Sequence, residues 1–374
     1  MHDAPWPARY AFRSFPFLRS NTVTDFADRI IAWQKQHGRH DLPWQRTRDP
    51  YCIWLSEIML QQTQVATVIP YYERFIRRFA DVHALASAPN EAVMACWAGL
   101  GYYSRARNLH RCAQQIVSTH GGEFPRRVEQ LTQLPGIGRS TAAAIAALAF
   151  GERAAILDGN VRRVLARHFA VEGYPGSAKV ERVLWTHAEG SLPAHEIEAY
   201  TQGLMDLGAT VCARSRPLCL ACPVNDTCVA RCEQTIDRLP APRPARQRPV
   251  RSATVLALQD ASGAVLLELR PPAGIWGGLL SLPEFEADAT DEAIVAAVNA
   301  RYGLHIALAE PLREIRHEFT HYTYAMRPRC ARVVGAVGVA SSSLRRVAAE
   351  ELAAAPLPAP IRRLLLQLMQ PILA

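Results

Sequence analysis

Four cysteines in "VCARSRPLCLACPVNDTC", Cys212, Cys219, Cys222 and Cys228, are separated by six, two and five residues. Four thiolates on one short loop repel one another and converge on a single site only where a metal offsets that repulsion. An all-sulfur set around a C-x2-C pair suits zinc or a cubane iron–sulfur cluster. Spacing alone leaves both open, although six-two-five is not a common zinc-finger pattern; four unligated buried thiols are the plain alternative. Cys232 is a spare. Upstream, "LPGIGRST" places Gly136 and Gly138 one residue apart between two helix-like runs. Such a turn can present backbone N–H groups to a phosphate at a helix start, and it can equally be only a turn.

Two carboxylates stand where acid and charge chemistry would need them. In "AAILDGNVRRVLARHF" an apolar run delivers Asp158, then Gly159, Asn160 and an arginine-rich helix. Asp158 either caps that helix or supplies a carboxylate that opposes positive charge developing in a reaction. In "WLSEIMLQQTQV", Glu57 lies among Trp54, Leu55, Ile58, Met59 and Leu60. Apolar company favours the protonated carboxyl of a general acid; the alternative is a helix residue turned to water.

The elements that must hold these groups are helical from Thr24 to about Leu207. Phe26, Ile30 and Trp33 fall on one helix face, and Tyr51–Val68 reads as one long apolar helix, with Pro70 opening the next at its first turn. "SRARNLHRCAQQIVSTHGG" ends in glycines that suit a helix C-terminus, and its Arg105, Arg107 and Arg111 are placed to face phosphates. The small residues of "STAAAIAALAFG" allow close helix packing. "LPAPRPARQRPVR", 239–251, then breaks the pattern with prolines and arginines and no acid: an extended linker, either following a charged backbone or simply solvated. "SATVLAL", "AVLLELR", "HIALAEPL" and "RVVGAVGV" are short β-type runs with a helix at "DEAIVAAVNARYG", which predicts a smaller α+β domain.

Length and charge agree. At 374 residues, two domains of roughly 150 residues are expected. The formal charge is +8, and Lys35 and Lys179 are the only lysines among 42 basic residues, so the charge is nearly all arginine. A basic surplus suits a polyanion, though it also serves solubility. No apolar run reaches the roughly 18 residues of a membrane span. Nine cysteines, odd in number and unevenly spread, do not form a disulfide framework. The first twenty residues lack the apolar core of a secretory signal; a transit peptide or an extended start site stays open.

The cysteine pattern together with "LPGIG" resembles the endonuclease III superfamily of helix–hairpin–helix DNA glycosylases, whose loop holds a [4Fe–4S] cluster. That resemblance implies iron–sulfur rather than zinc, and a hairpin whose N–H groups around Gly136, Ile137 and Gly138 hold a DNA phosphate. Strand-cleaving members carry a lysine two residues after the second glycine; here Ser140 stands there. "WLSEIMLQQTQV", "GLGYYSRARNLH", "LPGIGRSTAAAI" and "LDGNVRRVLAR", in order, resemble the MutY-type adenine DNA glycosylases. The resemblance implies that Glu57 protonates adenine, Asp158 stabilises the oxocarbenium ion and Asn160 supports the site. Gln61, Gln62 and Gln64 would contact the bases or fill the gap left by the flipped one, with Leu100 and Tyr102 as wedges that hold the space beside the partner base. Ser140 would mark a catalytic site that removes a base without a Schiff base.

"GIWGGLLSLPEF", 274–285, resembles the family's Nudix-like domain. "EADATDEAIVAAVNARYG" lacks the R-E-x-x-E-E arrangement of Nudix hydrolases, which predicts recognition rather than diphosphate hydrolysis. The Phe-Ser-His turn by which the family reads 8-oxoguanine is Phe319, Thr320 and His321 here; threonine keeps the hydroxyl and adds a methyl. The expectation is a mainly α helix–hairpin–helix glycosylase domain over 24–232 with its iron–sulfur loop at 212–228. It follows an extension at 1–23, and a linker at 233–251 leads to a Nudix-like α+β domain over 252–374. The function expected is a monofunctional, monomeric adenine DNA glycosylase, cytoplasmic and not membrane-bound. Its partner is double-stranded DNA carrying adenine opposite 8-oxoguanine or, less strongly, guanine. A bifunctional pyrimidine-lesion glycosylase/lyase and a non-catalytic iron–sulfur DNA-binding protein are the rival readings.

Overall fold

A computed structural model of the protein describes residues 22–244, 248–271, 274–319, 321–336 and 343–369. Most of the N-terminal extension, part of the linker, and Thr320 lie outside the described residues. Among the described residues twelve α-helices come first: α1 Thr22–His37, α2 Pro50–Leu60, α3 Val65–Arg78, α4 Val82–Ser87, α5 Asn90–Trp97, α6 Ser104–His120, α7 Val128–Leu131, α8 Arg139–Phe150, α9 Gly159–His168, α10 Ala178–Gly190, α11 Ile197–Asp206 and α12 Val229–Cys232. Strands follow: β1 Val250–Gln259, β2 Val265–Leu269, β3 Leu280–Ser281, β4 Glu284–Glu286, β5 Leu304–Pro311, β6 Ile315–Glu318, β7 Thr323–Ala336 and β8 Leu344–Val347. α13 Asp291–Tyr302 lies between β4 and β5, and α14 Ala359–Met369 ends the chain's described part. Among the described residues no helix is long and apolar enough to cross a membrane.

The chain divides into two compact units, 1–54 with 126–133 and 137–244, and 55–125 with 134–136 and 245–374. In the first, Phe26 and Ile30 of α1 pack with Ala143, Ala144 and Ala147 of α8 and with Leu204 of α11. Small residues set that spacing. A Cβ on Gly203 would stand 2.8 Å from Ile30 Cγ2, so α11 meets α1 too closely for any larger residue there.

In the second unit the sheet runs β3-β2-β1-β7-β5, with β4 on β1, β6 on β7 and β8 on β2. Its centre is a parallel pair, Val250↔Thr323 through Gln259↔Arg332, joining segments about seventy residues apart. Ile294, Val298 and Tyr302 of α13 cover it against Leu256, Leu258 and Ile306. Two helix expectations need correction. The apolar run does not continue to Val68: α2 stops at Leu60 and Gln62 takes a positive φ of 58°. Nor does Pro70 open a helix; it lies inside α3, which starts at Val65, and its missing N–H costs that helix one internal hydrogen bond.

Candidate functional site

Gly136 and Gly138 have different physical reasons. Gly136 takes φ +80° and a Cβ there would lie 2.8 Å from Asn108 Cβ, so the turn requires glycine. Gly138 is the N-cap of α8 with φ −87°, and a Cβ there would meet nothing within 4 Å. The fold tolerates a side chain at 138; the absence of one leaves the helix N-terminus open to close approach.

In the first unit α8 and α9 together fix the approach to Asp158. The Leu157 N–H donates to Ser140 Oγ at 2.9 Å, and the Leu157 carbonyl accepts from Arg162 Nε at 3.1 Å. Asp158 caps α9, accepting the Val161 N–H at 2.7 Å. Burial lifts its carboxyl above the ordinary value of 3.8, against the Val161 and Asn160 N–H groups and the Arg163 and Arg162 charges that pull it down. Backbone N–H groups hold the carboxylate in its charged form, so capping and charge stabilisation are compatible roles. Asn160 accepts from Arg163 at 2.8 Å and lies against Gly208, where a Cβ would come within 2.6 Å of Asn160 Cβ. Arg163 also donates to the Cys212 carbonyl at 2.8 Å, tying α9 to the cysteine loop.

In the second unit Glu57 is half-buried on α2. The end of that helix is held by Arg105, which donates to the carbonyls of Ile58, Met59 and Gln61 at 2.9, 2.8 and 2.6 Å. Its other terminal nitrogen reaches Thr63 Oγ1 and the carbonyls of Leu100 and Gly101 at 3.1, 3.3 and 3.2 Å. Burial lowers its pKa to about 10. Arg105 is therefore a strut rather than a phosphate ligand, and Arg107 donates to the Gly277 carbonyl at 2.5 Å; of the three arginines Arg111 alone is exposed. The spacing of charges on α6 gave no sign of this, because carbonyl partners leave no mark in sequence.

A cavity of ≈ 220 Å³ opens beside this strut, lined by Gln61, Gln62, Tyr102, Ser104, Asn108 and Gly136 among others. It brings together four of the expected DNA-facing residues. Gln62 and Tyr102 both hold positive φ, 58° and 49°, a conformation that costs non-glycine residues free energy and marks functional sites. Tyr102 is 48% exposed, whereas Leu100 is buried at 5%. Gln64 is exposed and forms the N-cap of α3.

Cys212, Cys219, Cys222 and Cys228 line one cavity in the first unit, with Arg167, His168 and Arg231; Cys232 does not line it. Burial pushes the Cys222 thiol up to about 12, and the neighbouring Cys212, Cys228 and Cys219 add to it; burial raises Cys228 as well. Arg167 Nη1 approaches Cys212 Sγ at 3.4 Å. Among the described residues, no three His, Cys, Asp or Glu side chains gather as they would around a single metal ion. Four sulfur donors lining one cavity are the kind of donor set that zinc and iron–sulfur centres share. None of the nine cysteines, all of them among the described residues, forms a disulfide.

Phe319 and His321 lie between β6 and β7: Glu318 pairs with Thr323, and the Phe319 N–H donates to the Tyr322 carbonyl at 2.9 Å. Phe319 packs on Trp276, Tyr322 and His317 with ring centroids 5.7, 4.9 and 4.6 Å apart, and His321 is exposed. Trp276, not singled out from sequence beyond its place in "GIWGG", is the buried support of this turn.

A family model for HhH-GPD superfamily base excision DNA repair proteins matches residues 55–189, and a NUDIX domain model matches residues 254–367. The adenine DNA glycosylase of Buchnera aphidicola subsp. Acyrthosiphon pisum (strain APS) is 34% identical over 303 residues, covering 81% of this chain and 85% of its own. The adenine DNA glycosylase of Homo sapiens is 37% identical over 357 residues, covering 80% and 65%. A solved thermostable thymine-DNA glycosylase is 30% identical with a TM-score of 0.50, covering 56% of this chain and 97% of that one.

Proposed function

Because the chain belongs to the adenine DNA glycosylases, we propose that it hydrolyses the N-glycosidic bond of adenine opposite 8-oxoguanine, and more slowly opposite guanine, without cutting the strand. The observation that carries the monofunctional part is the Ser140–Leu157 hydrogen bond. The position that would hold an amine nucleophile holds a hydroxyl already engaged with the backbone.

Glu57 delivers the proton to the leaving adenine, and Asp158 opposes the cationic sugar. Asn160 steadies α9 beside Asp158. Hydrogen bonding from the open N-terminus at Gly138, with Gly136 shaping the turn, holds a backbone phosphate. Gln61, Gln62 and Tyr102 occupy or border the gap left by the extruded nucleotide; Gln64 and Leu100 stand at the edges of the same loops, Leu100 as the packed base of the Tyr102 turn. Phe319, Thr320 and His321 read the oxidised base. The protein acts as a monomer, with residues 24–232 as the glycosylase domain, 233–251 as linker and 252–374 as the recognition domain.

Cys212, Cys219, Cys222 and Cys228 would hold a [4Fe–4S] cluster, which fixes the 212–228 loop when bound. Arg163 then ties that loop to α9.

A duplex with one adenine opposite 8-oxoguanine tests the reaction class. Strand breaks should appear only after hot alkali opens the abasic sites. Breaks forming without alkali as fast as adenine is released would instead favour the lyase reading.

A further inference from the structure

Arg105 and Arg107 stand two residues apart in the first turn of α6, about 200° apart around the helix, so their side chains leave in opposite directions. Arg105 grips the carbonyl of Ile58, the residue after Glu57. Arg107 grips the carbonyl of Gly277, the residue after Trp276, and Phe319 of the base-reading turn packs on Trp276. The loop between these contacts is held in shape. Trp276 has φ +53°, its carbonyl accepts the Leu279 N–H at 3.0 Å, and the Gly278 N–H donates to the Arg270 carbonyl at 3.1 Å. A second contact runs alongside, where Arg345 of β8 pairs with Glu91 of α5 at 3.5 Å. That pair is exposed on both sides and contributes little by itself. The Arg107 bond is half-buried, and burial lowers its pKa, so its one carbonyl partner matters more.

We infer that Arg107 is a positioning residue that couples the base-reading turn to the helix carrying Glu57, with α6 as the shared strut. This inference rests on the reading of Phe319–His321 as the 8-oxoguanine sensor. When the turn engages the oxidised base, Phe319 bears on Trp276, and Gly277 passes any displacement to Arg107. Through α6 the same displacement reaches Arg105 and the end of α2. A partner guanine gives the turn less to hold, and α2 then lacks that support. The 8-oxoguanine preference therefore depends on a residue that touches neither base.

The test measures single-turnover adenine release by the full chain on duplexes with adenine opposite 8-oxoguanine and opposite guanine, for the parent, Arg107→Ala, Arg107→Lys, His321→Ala and the Arg107→Ala/His321→Ala double variant. Arg107→Ala should lower the ratio of the two rates about tenfold, within the span usual for coupling between sites. Arg107→Lys should restore part of it, since an ammonium still donates to the Gly277 carbonyl. The double variant should lose no more of the ratio than the larger single loss, because both changes cut one path. A parallel fall of both rates in Arg107→Ala, an unchanged ratio, or losses that multiply in the double variant would overturn the coupling. If His321→Ala erodes the ratio and Arg107→Ala does not, the coupling alone fails. A parent without preference for 8-oxoguanine removes the sensor reading, and the coupling with it.

Discussion

Ser140 Oγ accepts the Leu157 N–H at 2.9 Å, so the hairpin helix α8 pins the backbone one residue before Asp158. The serine does more than omit an amine: it anchors the extended segment that presents the carboxylate. Ser140→Lys should break that anchor and place an amine near the sugar. Borohydride should then cross-link the variant to DNA far more than the parent, while hydrolytic release of adenine slows. Efficient cross-linking by the parent itself, with strands cut as fast as adenine is released, would mean that Lys35 or Lys179 already reaches the site.

Asp158→Asn separates the cap from the charge. Asparagine caps a helix about as well, so α9 should persist, while base release falls at least about a hundredfold. The sign of the stability change follows from the lifted carboxyl. Its cost to the fold is absent below the ordinary value of 3.8 and grows as pH rises through the higher folded-state value. The variant should therefore melt a few degrees above the parent at pH 7, with the gain shrinking toward pH 4. A lower melting point at pH 7 would show that the charged carboxylate stabilises the fold instead.

Purified protein should be brown and hold about four irons per chain. Cys219→Ala should lose the iron, whereas Cys232→Ala should keep it, since Cys232 does not line the four-cysteine cavity. Stoichiometric zinc in anaerobically prepared protein would contradict this assignment.

Arg105→Met keeps the apolar stem and removes every donor. Six acceptors then lose the guanidinium: the carbonyls of Ile58, Met59, Gln61, Leu100 and Gly101, and Thr63 Oγ1, of which the Gly101 carbonyl keeps the Trp97 indole N–H and the Gln61 carbonyl the Thr63 hydroxyl. A loss of at least about 3 kcal/mol is expected, which thermal unfolding would read as a drop of roughly 6–12 °C. Arg105→Lys should fail nearly as badly, because one compact ammonium cannot span acceptors on two loops. A drop below about 2 °C would mean that Arg105 is not the strut described.

What sequence conveyed and what it did not divide along physical lines. The cysteine set, the capping Asp158, the close-packed α8 and the α+β character of the last part were legible because each depends on local spacing or composition. The break after Leu60 was not. Residues 51–68 carry no glycine or proline to mark it, and the helix ends where a glutamine takes a positive φ. The β1–β7 pairing joins distant segments, and no local pattern encodes it. Arg105 and Arg107 read as phosphate ligands because arginines on a helix in a DNA-binding protein usually are; their partners are backbone carbonyls, which any sequence supplies. Trp276 stands in the sequence only as one residue of "GIWGG", and its role under Phe319 emerges only from the packing.

The most direct test is single-turnover adenine release by the parent protein on three duplexes: adenine opposite 8-oxoguanine, adenine opposite guanine, and an oxidised thymine opposite adenine. The expected result is fast release from the first, slower release from the second and no attack on the oxidised thymine, with abasic strands intact until alkali. Excision of the oxidised thymine with strand scission, or equal rates on the first two duplexes, would contradict a monofunctional adenine glycosylase that reads 8-oxoguanine.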